Sequence, residues 1–220
     1  LLAWTVVQED DARFDIHVLW DTPNLDEAMD AAFLHAQAFF GPNLTGGSVF
    51  ATLNAADNGI NADDGGDVGD PLATHHVTFK GLDIHDIGGT GNQDCLKLSG
   101  LDDYTVSLSE FATCGGGTSG SGVDHVGCHR GLIARNTFTS MAGNAIQSKG
   151  GSEDIEIRWN RFPDAGERGL NLGGSTGFQY FRPPLSTTST NAEARDLVVV
   201  ANVFEGSWAA LAYVGCVGCV

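Results

Sequence analysis

Five short segments of the sequence alternate apolar and polar residues, as a strand with one buried face does. They begin at Leu96, Val123, Ile146, Leu170 and Leu211. If these residues face the core, the next position in each segment forms an outward column: Lys97, Asp124, Gln147, Asn171 and Ala212. Neighbours in such a column lie about 4.8 Å apart, so we expect a salt bridge between Lys97 and Asp124. A row of long polar groups suits lengthwise binding of a polysaccharide by Lys97, Gln147 and Asn171; a solvated face without function is the alternative.

Segment 57–70 carries seven Asp or Asn residues in fourteen positions, interspersed with glycine. Oxygen donors on a flexible loop are the ligands that Ca²⁺ prefers, so the sequence predicts a calcium site here. The predicted ligands are Asn61, Asp63, Asp64, Asp67 and Asp70. An acidic, disordered loop without a metal is the alternative.

A stretch near residue 180 combines aromatic and cationic side chains, among them Phe178, Tyr180 and Arg182. Exposed aromatic rings beside a polar groove can stack on sugar rings. Tyr180 and Arg182 are therefore predicted to bind substrate. The alternative is that the stretch folds down against the side of the protein.

The five cysteines are an odd number, so at least one thiol is free or pairs outside the chain. Cys114 and Cys128 flank a Gly/Ser-rich loop and are candidates for a disulfide. Cys216 and Cys219 have the C-x-x-C spacing of redox or zinc sites, but nothing in the sequence completes a zinc site. Small buried cysteines are the favoured interpretation.

A repeat that begins near residue 75 must position these groups. Its template is two apolar residues two positions apart, then a polar position, then an aromatic residue or Ile. The last members are 27, 27, 24 and 42 residues apart: Ile84, Phe111, Phe138, Phe162 and Phe204. The longest interval predicts one coil plus an insertion at about 175–193. Strands at this period without helices between them predict stacked coils of parallel sheet.

The corners of these coils are also marked in the sequence. Glycine recurs at 100, 127, 150, 174 and 215, as expected where the chain turns through positive φ. Asn136, Asn160 and Asn202 are predicted to stack as a ladder, with each amide bonded to the next coil. His125 shares the column of Leu98 and is predicted to face inward as a core histidine.

Over residues 75–220 the repeat resembles the right-handed parallel β-helix superfamily, often called pectin-lyase-like. The resemblance implies an all-β solenoid of about five coils. Residues 1–74 are predicted to form an N-terminal cap, in which Asn24 and Glu27 resemble a capping box. Apolar residues at helical spacing predict an amphipathic helix over 25–40 that covers the open end of the solenoid, followed by the acidic loop.

The segment Ile146-Gln147-Ser148-Lys149 is similar to the lysine-bearing coil of the chondroitinase B and alginate lyase group. The resemblance implies that Lys149 removes the C5 proton of a uronic acid, while a cation or Ca²⁺ neutralises the substrate carboxylate. That group has a catalytic Arg about one coil later, and Arg168 is the candidate here.

A second resemblance lies in the segment 92–100, which looks like the acidic coil of polygalacturonase-type glycoside hydrolases. Those enzymes protonate the leaving oxygen and activate water with carboxyl groups. Asp94 with Asp124 is the candidate acid/base pair for this chemistry.

Composition bounds these hypotheses. The 220 residues carry a net charge of −17, which argues against a nucleic-acid partner, and no apolar run is long enough to span a membrane. The leading hypothesis is an extracellular or cell-surface carbohydrate-active protein, a polysaccharide lyase on a uronic-acid-containing glycan rather than a hydrolase. The alternative is a non-catalytic solenoid subunit that self-associates through an uncapped C-terminal coil.

Overall fold

The computed structural model describes residues 58–63, 66–68, 70, 73–88 and 93–220, and the backbone of strands within 3–10, 13–19 and 43–50. The predicted helix over 25–40 lies outside the described residues. The described part consists of β-strands and one short 3₁₀ helix, Phe178–Tyr180. Among these residues, no helix is long and apolar enough to cross a membrane.

The first strands extend one sheet of the solenoid. Strands β1 (Ala3–Asp10) and β2 (Arg13–Leu19) pair antiparallel. Strand β3 (Asn43–Phe50) pairs in parallel with β2 and with β5 (Thr78–His85). Sheet structure therefore reaches into the predicted N-terminal cap.

The later strands form three faces, and the coils from β6 to β18 each contribute to all of them. The first face contains β4 (Ile60–Asp63), β6 (Leu96–Ser99), β9 (Ser121–Val126), β12 (Asn144–Lys149), β15 (Arg168–Gly173) and β19 (Ala209–Val214). The second contains β7 (Asp102–Ser107), β10 (His129–Ala134), β13 (Ser152–Arg158), β16 (Ala194–Arg195), β17 (Val198–Val200) and β20 (Cys216–Val217). The third contains β8 (Glu110–Ala112), β11 (Thr137–Thr139), β14 (Arg161–Pro163) and β18 (Val203–Glu205).

Strands within each face pair in parallel, which confirms the predicted all-β parallel β-helix. Strand β5 spans the second and third faces, since it pairs with both β7 and β8. In the region predicted as an insertion, no strand lies between the end of β15 at Gly173 and the start of β16 at Ala194. The insertion follows directly on the first face.

The core fills the space between the faces. Leu96, Val123, Ile146 and Leu170 lie in register on successive coils and are fully buried. Burying a side chain of this size stabilises the fold by roughly 1.5–3 kcal/mol. At the third face, four phenylalanine rings stack with centroids 4.9, 5.2 and 4.6 Å apart: Phe111, Phe138, Phe162 and Phe204.

The predicted asparagine ladder is present at the corner between the second and third faces. Each side-chain oxygen accepts a backbone N–H of the preceding coil, at 2.9 Å for Asn136 to Asn160 and for Asn160 to Asn202. Each side-chain nitrogen donates to a carbonyl of the preceding coil, as Asn160 does to Ile133 at 2.9 Å. The ladder satisfies backbone groups that the turns leave without strand partners.

The glycine corners follow the prediction with one shift. Gly127 has φ +60°, and a Cβ on it would lie 2.5 Å from the Cβ of Arg182, so only glycine fits beneath the insertion. At the fourth corner the positive φ belongs to Gly173 rather than Gly174.

The predicted disulfide between Cys114 and Cys128 was wrong in one of its two cysteines. Cys114 bonds to Cys95, with the Cα atoms 5.5 Å apart, and Cys128 is the free, buried thiol. Cys114 and Cys128 lie beyond opposite ends of β9, a separation of about 20 Å for a six-residue strand, whereas Cys95 and Cys114 meet at one corner. Cys216 and Cys219 also form a disulfide, which leaves neither thiol available for a metal.

Candidate functional site

The outward columns of the first face have the predicted register. Asn61, Lys97, Asp124, Gln147, Asn171 and Ala212 pair in that order on six adjacent strands. Two positions further along each strand, the second column begins with Asp63, Ser99, Val126 and Lys149. Strand alternation alone thus brings two of the three lysines of the chain to one surface.

Two lysines share one buried carboxylate on this face. The Oδ2 atom of Asp124 forms ion pairs with the Nζ atoms of Lys97 and Lys149, the latter at 3.0 Å. Asp124 is fully buried, while the lysine side chains are 17% and 14% exposed. The predicted salt bridge between Lys97 and Asp124 is present. Lys149, on the coil that follows Asp124, binds the same carboxylate.

Asp94 completes what we call the charged cluster: Asp94, Lys97, Asp124 and Lys149. Its Oδ1 accepts the backbone N–H of Ser121 at 2.7 Å, and its Oδ2 lies 3.6 Å from Nζ of Lys97. Among the described residues, that Oδ2 and Oδ1 of Asp124 are buried atoms without a hydrogen-bond partner. Such atoms carry a large desolvation cost, which marks the cluster as unusual for a purely structural network.

Burial and the charge of Asp124 raise the pKa of Asp94 to about 7, although both lysines oppose this rise. Burial would also raise the pKa of Asp124, but attraction to Lys97 and Lys149 outweighs it and lowers that pKa. Burial would lower the pKa of Lys97, yet the two carboxylates raise it instead. Lys97 is therefore a permanent cation, whereas Asp94 exchanges its proton near neutral pH.

The charged cluster lies at a cleft of about 650 Å³, a size typical of ligand sites. Lys97, Ser99, Val126 and Lys149 belong to its floor, while Asp63 and Asp67 line it as well. Several residues between Ser175 and Pro184 in the insertion form another part of the cleft lining. Asp94 and Asp124 do not line the cleft, since the lysines lie between them and the opening.

Two of the predicted binding residues, Gln147 and Asn171, lie beside the cleft but do not line it. Gln147 accepts from Nζ of Lys149 at 3.3 Å and from Nδ2 of Asn144 at 3.4 Å. Asn171 follows in the same column and is mostly buried. A Cβ on Gly174 would lie 2.7 Å from Nε2 of Gln147 and 3.2 Å from Cδ of Lys149, so this glycine makes room for both side chains.

Arg168 is not brought to Lys149. It pairs in register with Asn144, at the start of β12, whereas Lys149 ends that strand. The separation along the strand is about 16 Å at 3.3 Å per residue. The guanidinium instead contacts Glu167 at 3.2 Å and Asn144 at 3.4 Å. The prediction of a catalytic partnership between Arg168 and Lys149 is therefore corrected.

Arg182 does not present its guanidinium to a ligand, contrary to the prediction that it binds substrate. It makes a bidentate bond to Asp102, at 2.7 and 3.1 Å, and the side chain is buried. Its remaining donors reach the backbone oxygens of Gly66, Asp67 and Gly127. Every N–H of the group has an acceptor, so Arg182 fastens the insertion and the acidic loop to the solenoid.

Among the aromatic residues of the insertion, Tyr180 lines the cleft and is 62% exposed. Phe178 is even more exposed but lies outside the cleft lining. Tyr180 thus has the position predicted for a ring that stacks on sugar.

Glu193, which the sequence analysis missed, ties the end of the insertion to the corner after Lys149. Its carboxylate accepts the backbone N–H of Gly150 at 3.0 Å and hydrogen bonds from Thr176. A single acid after a Ser/Thr-rich stretch carries no signal for such a contact.

Among the predicted calcium ligands that the structure describes, the carboxylates of Asp63, Asp67 and Asp70 do not come together within metal-binding distance. Asn61 and Asp63 lie on β4, Asp67 lines the cleft, and Asp64 lies outside the described residues. Within the part of the chain that the structure describes, the three-carboxylate group that meets within metal-binding distance is Glu153, Asp154 and Asp196, which excludes Asp63, Asp67 and Asp70.

His125 faces the interior as predicted. Its Nδ1 lies 3.0 Å from Oγ of Ser148, and its ring is 5.5 Å from that of Tyr104. Burial lowers the pKa of His125 to about 4, so the ring is neutral at physiological pH. It follows Asp124 in the chain but points away from the charged cluster, and it has no route to a ligand in the cleft.

No family model and no curated protein matches this sequence. Among solved structures, the chain is similar to the periplasmic alginate epimerase AlgG with a TM-score of 0.43 and 12% sequence identity. The similarity covers 81% of this chain and 45% of that one, so the chain spans less than half the length of that enzyme.

Proposed function

We propose that this protein is an extracellular carbohydrate-active β-helix protein that binds an acidic polysaccharide in the cleft and cleaves it by β-elimination. The observation that carries the proposal is the charged cluster: two lysines at the cleft floor flank a single buried carboxylate. In a chain of net charge −17, this places two ammonium groups on the surface that a ligand would meet. A uronic acid carboxylate is the complementary group.

Lys97 supplies the fixed charge. Because its pKa is raised by the neighbouring carboxylates, it stays protonated and neutralises the uronate carboxylate, which acidifies the adjacent C5 proton. Lys149 is the base: it meets the uronate as an ammonium paired with Asp124 and passes one proton to water before it can accept another. It takes the C5 proton, the electrons form the C4=C5 double bond, and the C4–O bond breaks. The leaving oxygen takes a proton from water in the open cleft.

Hydrolysis is less well supported. Two carboxyl groups with separated pKa values are typical of glycosidases, and Asp94 and Asp124 fit that description. Their side chains are 1% and 0% exposed and lie behind the lysines. Neither oxygen reaches a glycosidic bond in the cleft without displacement of Lys97 or Lys149.

The test is ultraviolet absorbance, which rises when unsaturated uronic products form. We expect such a rise with alginate, pectate or chondroitin, and we expect Lys149→Ala to abolish it. Lys80→Ala is the matched control, since Lys80 is the third lysine, exposed on β5 and remote from the cleft lining. Absence of product from all three polymers would contradict the lyase proposal.

A second candidate function rests on the last coil. Exposed apolar side chains on β18, β19 and β20 suit contact with another solenoid: Val203, Leu211, Tyr213, Val214 and Val217. A subunit that self-associates through this surface should form oligomers by light scattering, and Leu211→Lys should dissolve them. A chain that remains monomeric at high concentration contradicts this candidate.

A further inference from the structure

The charged cluster carries no net charge when all of its groups are ionised. Lys97 and Lys149 contribute two positive charges, and Asp94 and Asp124 contribute two negative ones. A neutral cluster gives an acidic protein no electrostatic reason to hold an anion in this cleft. Binding of a carboxylate therefore requires that one negative charge be removed first.

Asp94 is the carboxylate with the weaker compensation. Both lysines contact Oδ2 of Asp124, whereas the nearest ammonium to Asp94 is 3.6 Å from its Oδ2. That Oδ2 is buried and accepts no hydrogen bond from the residues that the structure describes. The desolvation free energy of an ionised carboxylate in this setting is not fully offset by its neighbours. Asp94 is therefore the group that takes up a proton.

We propose that the cleft binds the carboxylate of an acidic sugar together with one proton, which Asp94 takes up from solvent. The inference rests on the proposed function and names the chemistry of recognition at the same site. With Asp94 protonated, two ammonium groups face Asp124 alone, and one positive charge is left at the floor. The sugar carboxylate then replaces Asp94 as the second anion, and no covalent bond changes.

The groups that face Asp94 come from each element packed against it. Strand β6 contributes Lys97, β9 contributes Asp124 and the N–H of Ser121, and β12 contributes Lys149. The segment before β4 contributes Asn58, whose Oδ1 accepts the N–H of Asp94 at 3.0 Å. Burial and Asp124 raise the pKa of Asp94 to about 7, so the proton is exchanged in the physiological range.

The ligand class follows from this balance. A single surplus positive charge matches one singly charged carboxylate and gives no advantage to a neutral sugar. Esterified or reduced uronic acids should therefore lose both the affinity and the linked proton. Affinity for the acidic sugar should fall as pH rises above 7, approaching tenfold per pH unit, since each binding event then needs a proton from increasingly alkaline solvent.

The experiment is isothermal titration calorimetry of the full chain with uronic acid trisaccharides from alginate, pectate and chondroitin, with turnover monitored by ultraviolet absorbance. Titration at pH 7.5 in phosphate and in Tris, which differ in ionisation enthalpy, counts the protons taken up. We expect uptake of more than half a proton per ligand and at least a fivefold loss of affinity between pH 7 and pH 8.5.

Asp94→Asn is the decisive variant, because an amide mimics the protonated carboxyl and its Oδ1 can still accept the N–H of Ser121. It should bind without proton uptake and with affinity independent of pH over this range. Asp63→Asn is the matched control: Asp63 also lines the cleft but is exposed, so uptake should persist.

The outcomes separate the two proposals. Binding without proton uptake, or with uptake unchanged in Asp94→Asn, overturns this inference and leaves the proposed function standing. Failure of every trisaccharide to bind at pH 6 overturns both. A ¹³C carboxyl titration of the parent protein and of Asp94→Asn, both without ligand, checks independently that the variant lacks the titrating group.

Discussion

Two stacks of polar side chains follow the coils of this β-helix, one at a corner and one across the cleft floor. At the corner, the side-chain oxygen and nitrogen of Asn160 both bond to neighbouring coils. In the charged cluster, one oxygen of Asp94 and one of Asp124 are buried without a hydrogen-bond partner among the described residues. The same stacking geometry thus produces a satisfied ladder that stabilises the fold and an unsatisfied cluster beside an open cleft.

The difference teaches where to look for function in a repeat protein. Identical side chains at identical spacing satisfy one another, since each amide both donates and accepts. Stacked groups of opposite charge leave some carboxylate oxygens without a hydrogen-bond partner, and a ligand or a proton can satisfy them. Stability should therefore depend mainly on stacks of identical side chains, the phenylalanine rings and the asparagine ladder, and binding mainly on the charged cluster.

The largest expected effect is on stability, from Phe138→Ala. Phe138 is fully buried and its ring stacks between Phe111 and Phe162 at 4.9 and 5.2 Å. Its loss should lower the free energy of unfolding by about 4 kcal/mol in urea denaturation. Phe178→Ala, in the exposed insertion, should change it by less than about 0.5 kcal/mol. Equal effects would show that the ring stack is not the stabilising element.

The next effect compares amides at the two stacks. Asn160→Ala leaves the N–H of Asn136 and the carbonyl of Ile133 without partners in a buried corner, and should cost about 3 kcal/mol of unfolding free energy. Gln147→Ala, beside the cleft, should cost less than about 1 kcal/mol because Gln147 is only partly buried and its bonds are long. A larger loss for Gln147→Ala would refute the division between scaffold and site.

The third effect is a pH dependence of stability with two opposing contributions. The raised pKa of Asp94, about 7, means that its stabilisation is lost as pH rises from about 4 to 7. The lowered pKa of His125, about 4, means that its stabilisation is lost as pH falls from about 6.5 to 4. Over their shared window the slopes oppose each other, each at most about 1.4 kcal/mol per pH unit.

The thermal unfolding temperature of Asp94→Asn should therefore increase as pH rises from 4 to 6.5, because the variant keeps the slope of His125 and has lost the opposing slope of Asp94. Addition of His125→Gln should flatten that rise. A slope in Asp94→Asn equal to that of the parent protein would show that Asp94 does not titrate in this window.

The smallest expected effect concerns the aromatic lip of the cleft. Tyr180→Ala should weaken binding of an acidic oligosaccharide about fivefold, equivalent to about 1 kcal/mol of lost ring stacking. Phe178→Ala is the matched control, since Phe178 is exposed on the same 3₁₀ helix but does not line the cleft. Calorimetry that finds the two variants equally impaired would argue against stacking at Tyr180.

Much of the scaffold could be predicted from the sequence because a repeat converts spacing into contact. Residues one period apart lie on adjacent strands, so the pairing of Lys97 with Asp124 and the inward direction of His125 followed from alternation alone. The insertion followed from the long interval between Phe162 and Phe204.

Contacts between segments without a repeat were missed or misassigned. Arg182 meets Asp102 across 80 residues, and Cys95 pairs with Cys114 because two corners coincide rather than because a motif marks them. The resemblance suggests Arg168 as the partner of Lys149, whereas the register places Arg168, the first residue of β15, beside Asn144 at the other end of β12.

The sequence by itself determined the all-β parallel solenoid, the two outward columns and the asparagine ladder, since these depend on period and alternation. Only the fold of the whole chain decided that Lys149 shares the carboxylate of Asp124, that Asp94 and Asp124 are buried, and that Arg182 holds the cleft wall instead of a ligand. The physical reason is that periodicity specifies which strands are neighbours, whereas burial and charge balance depend on how the loops between those strands fold over them.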